Sequence, residues 1–209
     1  MNPIDFLTIA AAKTGRPALT WAHHINLFGE TVAVSTDGER MSVVWGDIPY
    51  AYLWNNRVIQ LPGSVTIDDE KSIALIEATF TKLLDFSPVT VSACLRIKEL
   101  EAALQSLTSA FCLLVMTPGK GTWVVSGDTL KTIPSEVYPP ITHNTSVCFN
   151  PSYMLDALKG LEGDEVTIEF NAAATYLPFL VGTWGERAAV IMPIAKPMSL
   201  MTTDLLGGM

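Results

Sequence analysis

The sequence predicts an α+β protein built as two domains of similar plan. Three observations lead there. Of 209 residues, 49% are hydrophobic and only 16% charged, which is enough apolar surface for a sizeable core and the wrong composition for disorder. Short apolar runs alternate at the period of a strand in some places and recur at helical spacing in others. From Val89 onward the order strand, helix, two or three strands is followed by strand, helix, three strands, one unit used twice without visible repetition of residues. The part before Val89 reads as the same unit once and a shortened second copy. The boundary falls near Ser87, giving domains 1–87 and 88–198 with 199–209 as a tail.

The elements follow in order. A helix is expected over 3–13, then strands over 18–26, 31–35 and 41–45, separated by the turn signals FGE and TDGE. The stretch GDIPYAYLWNNRVIQLPGSV, 46–65, has no clear period. A helix over 69–84 would set Ile73, Ile76, Phe80, Leu83 and Leu84 on one side, and Phe86-Ser87-Pro88 breaks it. Next come a strand over 89–93, a helix over 97–107, and strands over 112–116 and 123–126 joined by the turn PGKG. KTIPSEVYPPITHNT, rich in Pro, Ser and Thr, reads as a linker, and strands over 177–181 and 187–193 close the chain.

Between them lies FNPSYMLDALKGLEGDEVTIEF, 149–170. Asn150 suits a helix N-cap, its side-chain oxygen accepting from a backbone N–H without an intrahelical partner, and Pro151 suits the first helical position. Met154, Leu155, Leu158 and Leu161 form an apolar stripe, and Gly160 and Gly163 end the helix. Val166, Ile168 and Phe170 then alternate with Thr167 and Glu169 as a half-buried strand. The other helix face carries Ser152, Asp156 and Lys159 and looks towards water or a ligand.

Several functions are disfavoured. A net charge of −8 argues against a surface that is basic throughout and binds nucleic acid everywhere, though not against a local basic stripe. Cys94, Cys112 and Cys148 are far apart among apolar neighbours, without a CxxC pair or a histidine at metal-ligand spacing, and read as buried free thiols; no metal or cofactor is expected. No apolar run has the length of a membrane span and the first residues lack a basic leader, so the expectation is a cytoplasmic protein without membrane association. His23-His24, with Asp37 or Asp47, is the starting point for an enzyme, but neighbours on a strand point to opposite faces and cannot converge on one metal or proton. There is no GxGxxG, Walker loop or GxSxG, and GKGT at 119–122 lacks the upstream glycine and reads as a hairpin turn. The expectation is no catalysis.

Two motifs carry a family resemblance. FNPSYMLDALKGLEGDEVTIEF followed by AAVIMPI resembles the end of the bacterial sliding clamp, the DNA polymerase III beta subunit, with its FN-x-x-Y helix and final strand closing in Met-Pro. RPALTWAHHINLFGETVAVSTDGERM resembles the middle domain of the same family. The resemblance implies two DNA-clamp-like domains of strand-helix-strands units with helices on one face of antiparallel sheets, lining a ring around DNA. It also implies a first domain absent, an abbreviated middle one, and a six-domain ring reached as a homo-oligomer, a trimer, because a heterologous contact closes whenever its rotation does.

Two sites follow from the resemblance. An apolar cleft between the domains that takes a short peptide of a DNA polymerase or other clamp-binding protein maps onto Leu19, Thr36, Gly38, Met41, Arg57, Val58, Val190, Met192 and Pro193. A surface facing double-stranded DNA maps onto Lys13, Arg16, Lys71, Lys82, Arg96, Lys98 and Lys159, interspersed with Glu77, Glu99, Glu101 and Asp156 on the same helices. The implied function is a processivity factor needing a clamp loader. The alternative is a clamp-derived adaptor or decoy that binds such peptides without encircling DNA, and a third reading is a small hydrolase using His23 or His24.

Overall fold

A computed structural model describes residues 1–13, 17–27, 29–46, 48, 53–54, 58–64, 74, 77–78, 91–126, 129–183 and 186–195. Helix α1, Pro3–Ala10, starts where Asn2 accepts from the Asp5 amide at 2.9 Å, with Pro3 in its first turn and Asp5 favourably placed at the positive end of the dipole. It stops earlier than expected because Ala11 is extended and the Ala12 amide turns to the Leu19 carbonyl. The strand expected from Ala18 begins only at Ala22. Pro17–Thr20 forms a 3-10 turn instead, which Pro17 at its head tolerates, since the first N–H of such a turn has no partner to lose.

Strands β1 (Ala22–Leu27), β2 (Glu30–Thr36) and β3 (Arg40–Trp45) form an antiparallel meander. The unpatterned stretch contributes two short strands, β4 (Leu53–Trp54) and β5 (Val58–Ile59), paired with each other and, through β5, with β1. The helix expected over 69–84 lies outside the described residues except for Ala74, Glu77 and Ala78, as do Ser87 and the start of the strand expected from Val89.

The second half is two interlocked units. β6 (Val91–Arg96), α2 (Ile97–Gln105), β7 (Cys112–Thr117), β8 (Gly121–Ser126) and β9 (Thr129–Ile133) make the first, and β11 (Thr145–Phe149), α3 (Pro151–Gly160), β12 (Glu165–Phe170), β13 (Phe179–Thr183) and β14 (Arg187–Ile191) the second. Each lends its first strand to the other: β6 pairs with β12, and β11 pairs with β7. The stretch read as a linker is mostly strand, since β9 and β10 (Ser135–Tyr138) flank Pro134. Pro134, without an N–H to give a ladder, marks where the chain leaves the four-stranded sheet β11-β7-β8-β9 for the edge of the other sheet.

That other sheet has ten strands, in the order β10-β6-β12-β13-β14-β3-β2-β1-β5-β4, and runs through both halves by the antiparallel pairing of β14 with β3. The helices lie on one face of it. α1 packs on β2 and β3, where the row Ala189, Ser42, Ser35, Ala22 has small side chains and Ser35 Oγ donates to the Leu7 carbonyl at 2.5 Å. α3 packs against α1, α2 and β14, burying Met154, Ala157 and Leu158. Gly160 is helical and serves packing: a Cβ there would sit 1.9 Å from the Phe6 ring, so its hydrogen lets α1 and α3 touch. The turn after it falls to Gly163, at φ +100°. One apolar cluster, including Phe6, Leu100, Leu104, Leu114, Phe149 and Phe179, joins helices and both sheets. Cys112 and Cys148 are buried as expected; Cys94 is only half-buried, its thiol facing the Glu165 carboxylate on the outer side of β6.

Candidate functional site

The turn at residues 37–40 is set by its own sequence. Asp37 Oδ1 accepts from the amides of Glu39 at 3.0 Å and Arg40 at 3.1 Å, Thr36 Oγ1 accepts from the Gly38 amide at 2.9 Å, and Gly38 takes φ +99°, which glycine adopts at no steric cost. Thr36 Oγ1 also donates to the Arg40 carbonyl at 2.5 Å, closing the turn on itself.

Register then fixes which side chains share a face. Leu180 pairs with Val190, Val190 with Met41, and Met41 with Thr36, a continuous row across β13, β14, β3 and β2. The next row runs Ala188, Val43, Val34, His23, Val58. Both rows face away from the helices, because the residues next to them along the strands, among them Ala189, Val44, Ala33 and Ile59, belong to the helix-side core. Ile25, Val32, Val34, Met41, Val43 and Val190 form a buried apolar cluster on this outer face.

Of the expected cleft residues, Thr36, Met41, Val58 and Val190 therefore lie on one face and are buried. Gly38 is exposed at the turn, while Met192 and Pro193 are half-buried just beyond β14. The Met192 amide donates to the Glu39 carbonyl at 2.9 Å, so the strand exit runs beside the turn. Leu19 is half-buried in the 3-10 turn, which lies against β2 without being paired in these rows, and Arg57 lies outside the described residues.

On the helix side the same turn meets α3. Arg40 Nη1 donates to Asp156 Oδ2 at 2.6 Å and Nε to Asp37 Oδ2 at 3.1 Å, and the guanidinium lies 4.7 Å from the centre of the Tyr153 ring. The Tyr153 hydroxyl donates to the Glu39 carboxylate, and Lys159 Nζ donates to Asp156 Oδ1 at 2.8 Å. Burial works against the charge of Arg40, but its bonds to Asp156 and Asp37 outweigh this and hold its pKa above the ordinary arginine value. Burial likewise opposes ionisation of Asp156, and bonds from Lys159 and Arg40 reverse the balance, so its carboxyl sits below the usual range. The Tyr153 phenol is pushed up, first by its bond to Glu39 and then by burial, and stays a donor. Asp156, expected on a wet face, is thus largely engaged by protein.

The basic residues are more dispersed. Lys13 is exposed beyond α1; Arg16, Lys71 and Lys82 lie outside the described residues. Arg96 precedes α2 and pairs with Glu99 at 3.5 Å, Lys98 is exposed on α2, and Lys159 is tied to Asp156. A separate cleft of about 330 Å³ opens where α3 ends, lined in part by Val44, Glu162, Glu165 and Val166. There Arg187 Nη1 donates to the Gly160 carbonyl at 3.2 Å and meets Glu162 at 3.0 Å, placing a cation at the negative end of α3. Among the described residues no group of His, Cys, Asp and Glu could hold a metal ion, and no helix is long and apolar enough to cross a membrane.

Sequence reasoning missed the Arg40, Glu39, Tyr153 network and the place of Leu180 on the row of Thr36, Met41 and Val190. Both halves of the network were visible as motifs, but only register shows that residues more than a hundred positions apart meet. Leu180 lies in an expected strand whose facing could not be read without its partners.

Interlocked strand-helix-strands units, with the described helices on one face of a sheet that continues from one half into the next, define a DNA-clamp fold. No protein-family model matches the sequence, and no curated protein matches it. Solved structures do match. The DNA polymerase sliding clamp of Bacillus subtilis superposes with a TM-score of 0.66 at 19% identity over 93% of this chain and 61% of that one. The DNA polymerase III beta chain of Streptococcus pneumoniae gives 0.65 at 18% over 92% and 62%. The Helicobacter pylori beta clamp bound to a DNA ligase peptide gives 0.61 at 14% over 92% and 62%. The chain has the fold of the bacterial DNA polymerase III beta sliding clamps and spans about 61–62% of the length of these three.

Proposed function

We propose that the chain is a sliding-clamp-like processivity factor. Copies of it close around duplex DNA, and the ring tethers a DNA polymerase or another DNA enzyme through a short apolar peptide seated against Thr36, Met41, Val190 and Met192. The observation that best supports this is the convergence of those residues, from two halves of the chain, beside the β3–β14 pairing. The likeness to a clamp whose structure holds a DNA ligase peptide points the same way. Aliphatic walls and two thioethers suit several related peptides, since methionine adapts its shape.

In this reading the protein performs no chemistry and needs no cofactor. A closed ring stays on DNA by topology, so weak contacts to phosphates suffice, and Lys13, Arg96, Lys98 and Lys159 supply them without reading sequence. A heterologous contact repeated three times gives six domains, and a clamp loader then has to open the ring. Light scattering after size exclusion tests this: a stable species near three times 22.7 kDa, retained on circular DNA and lost from linear DNA, is the expected result.

A second reading, a peptide-binding adaptor or decoy that forms no ring, draws on the charge pattern. Arg96 and Lys159 are paired with Glu99 and Asp156, and Glu101 stands beside Lys98 on α2, which leaves little uncompensated positive charge on the described helices. A monomer at high concentration that still binds peptide puts this reading first.

A further inference from the structure

We propose that Arg40 and Asp156 are positioning residues for the peptide cleft, acting as a latch that holds the turn at residues 37–40 against α3. The inference rests on the cleft reading above and adds to it residues that do not themselves line the cleft. Arg40 and Met41 are neighbours on β3 and so point to opposite faces: Met41 joins the outer apolar row, while Arg40 reaches the helix side. Fixing one fixes the other.

The turn is exposed at Gly38 and Glu39 and would move easily if it hung from β2 and β3 alone. Three attachments restrain it. Arg40 bridges Asp37 and Asp156 with two different nitrogens, Tyr153 donates to Glu39, and the Glu39 carbonyl receives the Met192 amide. Tyr153 and Asp156 stand three residues apart on α3, hence on one face of the helix, so a single helix surface takes hold of Arg40 and Glu39. The Arg40 side chain is 17% exposed and its Nε and Nη1 are both engaged, which fits a scaffold role better than a direct contact with peptide. Lysine could not replace it, because one ammonium lacks the planar fork that serves both carboxylates while stacking on the Tyr153 ring.

The test uses the full chain and the DNA ligase peptide seen on the H. pylori clamp as probe. Peptide affinity is measured by fluorescence anisotropy for wild type, Arg40→Gln, Arg40→Lys, Asp156→Asn and the Arg40→Gln/Asp156→Asn double variant. Amide hydrogen exchange at residues 38–41 is followed in each, with β7 as internal control. Each single substitution is expected to weaken binding roughly tenfold, and the double no more than the worse single, because both break one linkage. Turn amides exchange faster in all variants while β7 amides do not change, which separates a local latch from general destabilisation. Variants that bind as wild type, or penalties that multiply in the double, overturn the proposal. If wild type itself does not bind the peptide, the cleft reading fails first; the latch is then judged by exchange, and unaltered turn amides overturn it too.

Discussion

Replacing Gly160 with alanine sets two effects against each other at the junction of the two halves. Within a helix, Gly→Ala gains up to about 1 kcal/mol from backbone propensity. Here the new Cβ would lie 1.9 Å from Phe6 Cδ2, 2.5 Å from Cε2 and 3.0 Å from Cγ, where ordinary contact begins near 3.4 Å. The Phe6 ring is fully buried, so it cannot swing into solvent, and α1 or α3 must shift by more than an ångström. Overpacking of this kind costs about 1–3 kcal/mol, and 1.9 Å belongs at the upper end. The net expectation is a loss of about 1–2 kcal/mol, which for a chain of this size lowers Tm by about 2–8 °C. Urea unfolding followed by circular dichroism measures it. Made in a Phe6→Leu background, the same substitution should cost clearly less, since the smaller side chain gives way. A Gly160→Ala variant as stable as wild type, or more so, would refute the packing argument.

Three further outcomes are expected. Asn150→Ala removes the cap that accepts from Ser152 and should cost about 1 kcal/mol, read by the same unfolding assay, with Asn150→Asp nearly neutral. Asp156 has a folded pKa below its unfolded one, so its contribution is complete above the unfolded pKa and is lost as pH falls through the folded one; the stability gap between wild type and Asp156→Asn should therefore be present at neutral pH and close in acid. Met192→Glu puts a charge on the half-buried rim of the apolar row and should weaken peptide binding at least tenfold with little change in Tm, as the side chain is not in the core; unchanged affinity counts against the cleft.

Much of this architecture was legible because the local signals agree with one another. Asn150-Pro151 starts a helix in sequence and in structure, and the alternation of Val166, Ile168 and Phe170 is the buried face of β12. Errors arose where a signal had two physical meanings. Proline read as linker at Pro134 is a switch between sheets, and Gly160, read as part of the helix stop and indeed the last residue of α3, is in addition a contact surface for Phe6. Pairing was out of reach for a different reason. Period shows that alternate residues share a face, but whether Met41 or Arg40 faces the helices depends on β14 and α1, and their sequences do not announce the register.

The junction between the halves is held in three independent ways, and this bears on how any peptide would bind. Five residue pairs join β14 to β3, Phe6 seats against Gly160 on the helix side, and Arg40 ties the turn to α3. Moving one half against the other would break a sheet ladder, open a packed contact and separate an ion pair together. In the reading proposed above, the row around Met41 and Val190 is held in place before a ligand arrives, so that a peptide has only its own ordering to offset, which favours useful affinity from a short segment. The same stiffness is indifferent to whether the chain encircles DNA: a ring needs rigid arcs to close, and an adaptor needs a formed groove. Peptide affinity cannot separate the two readings, whereas the mass of the free protein and its loss from linear DNA can, because only closure depends on what the outer ends of the ten-stranded sheet do.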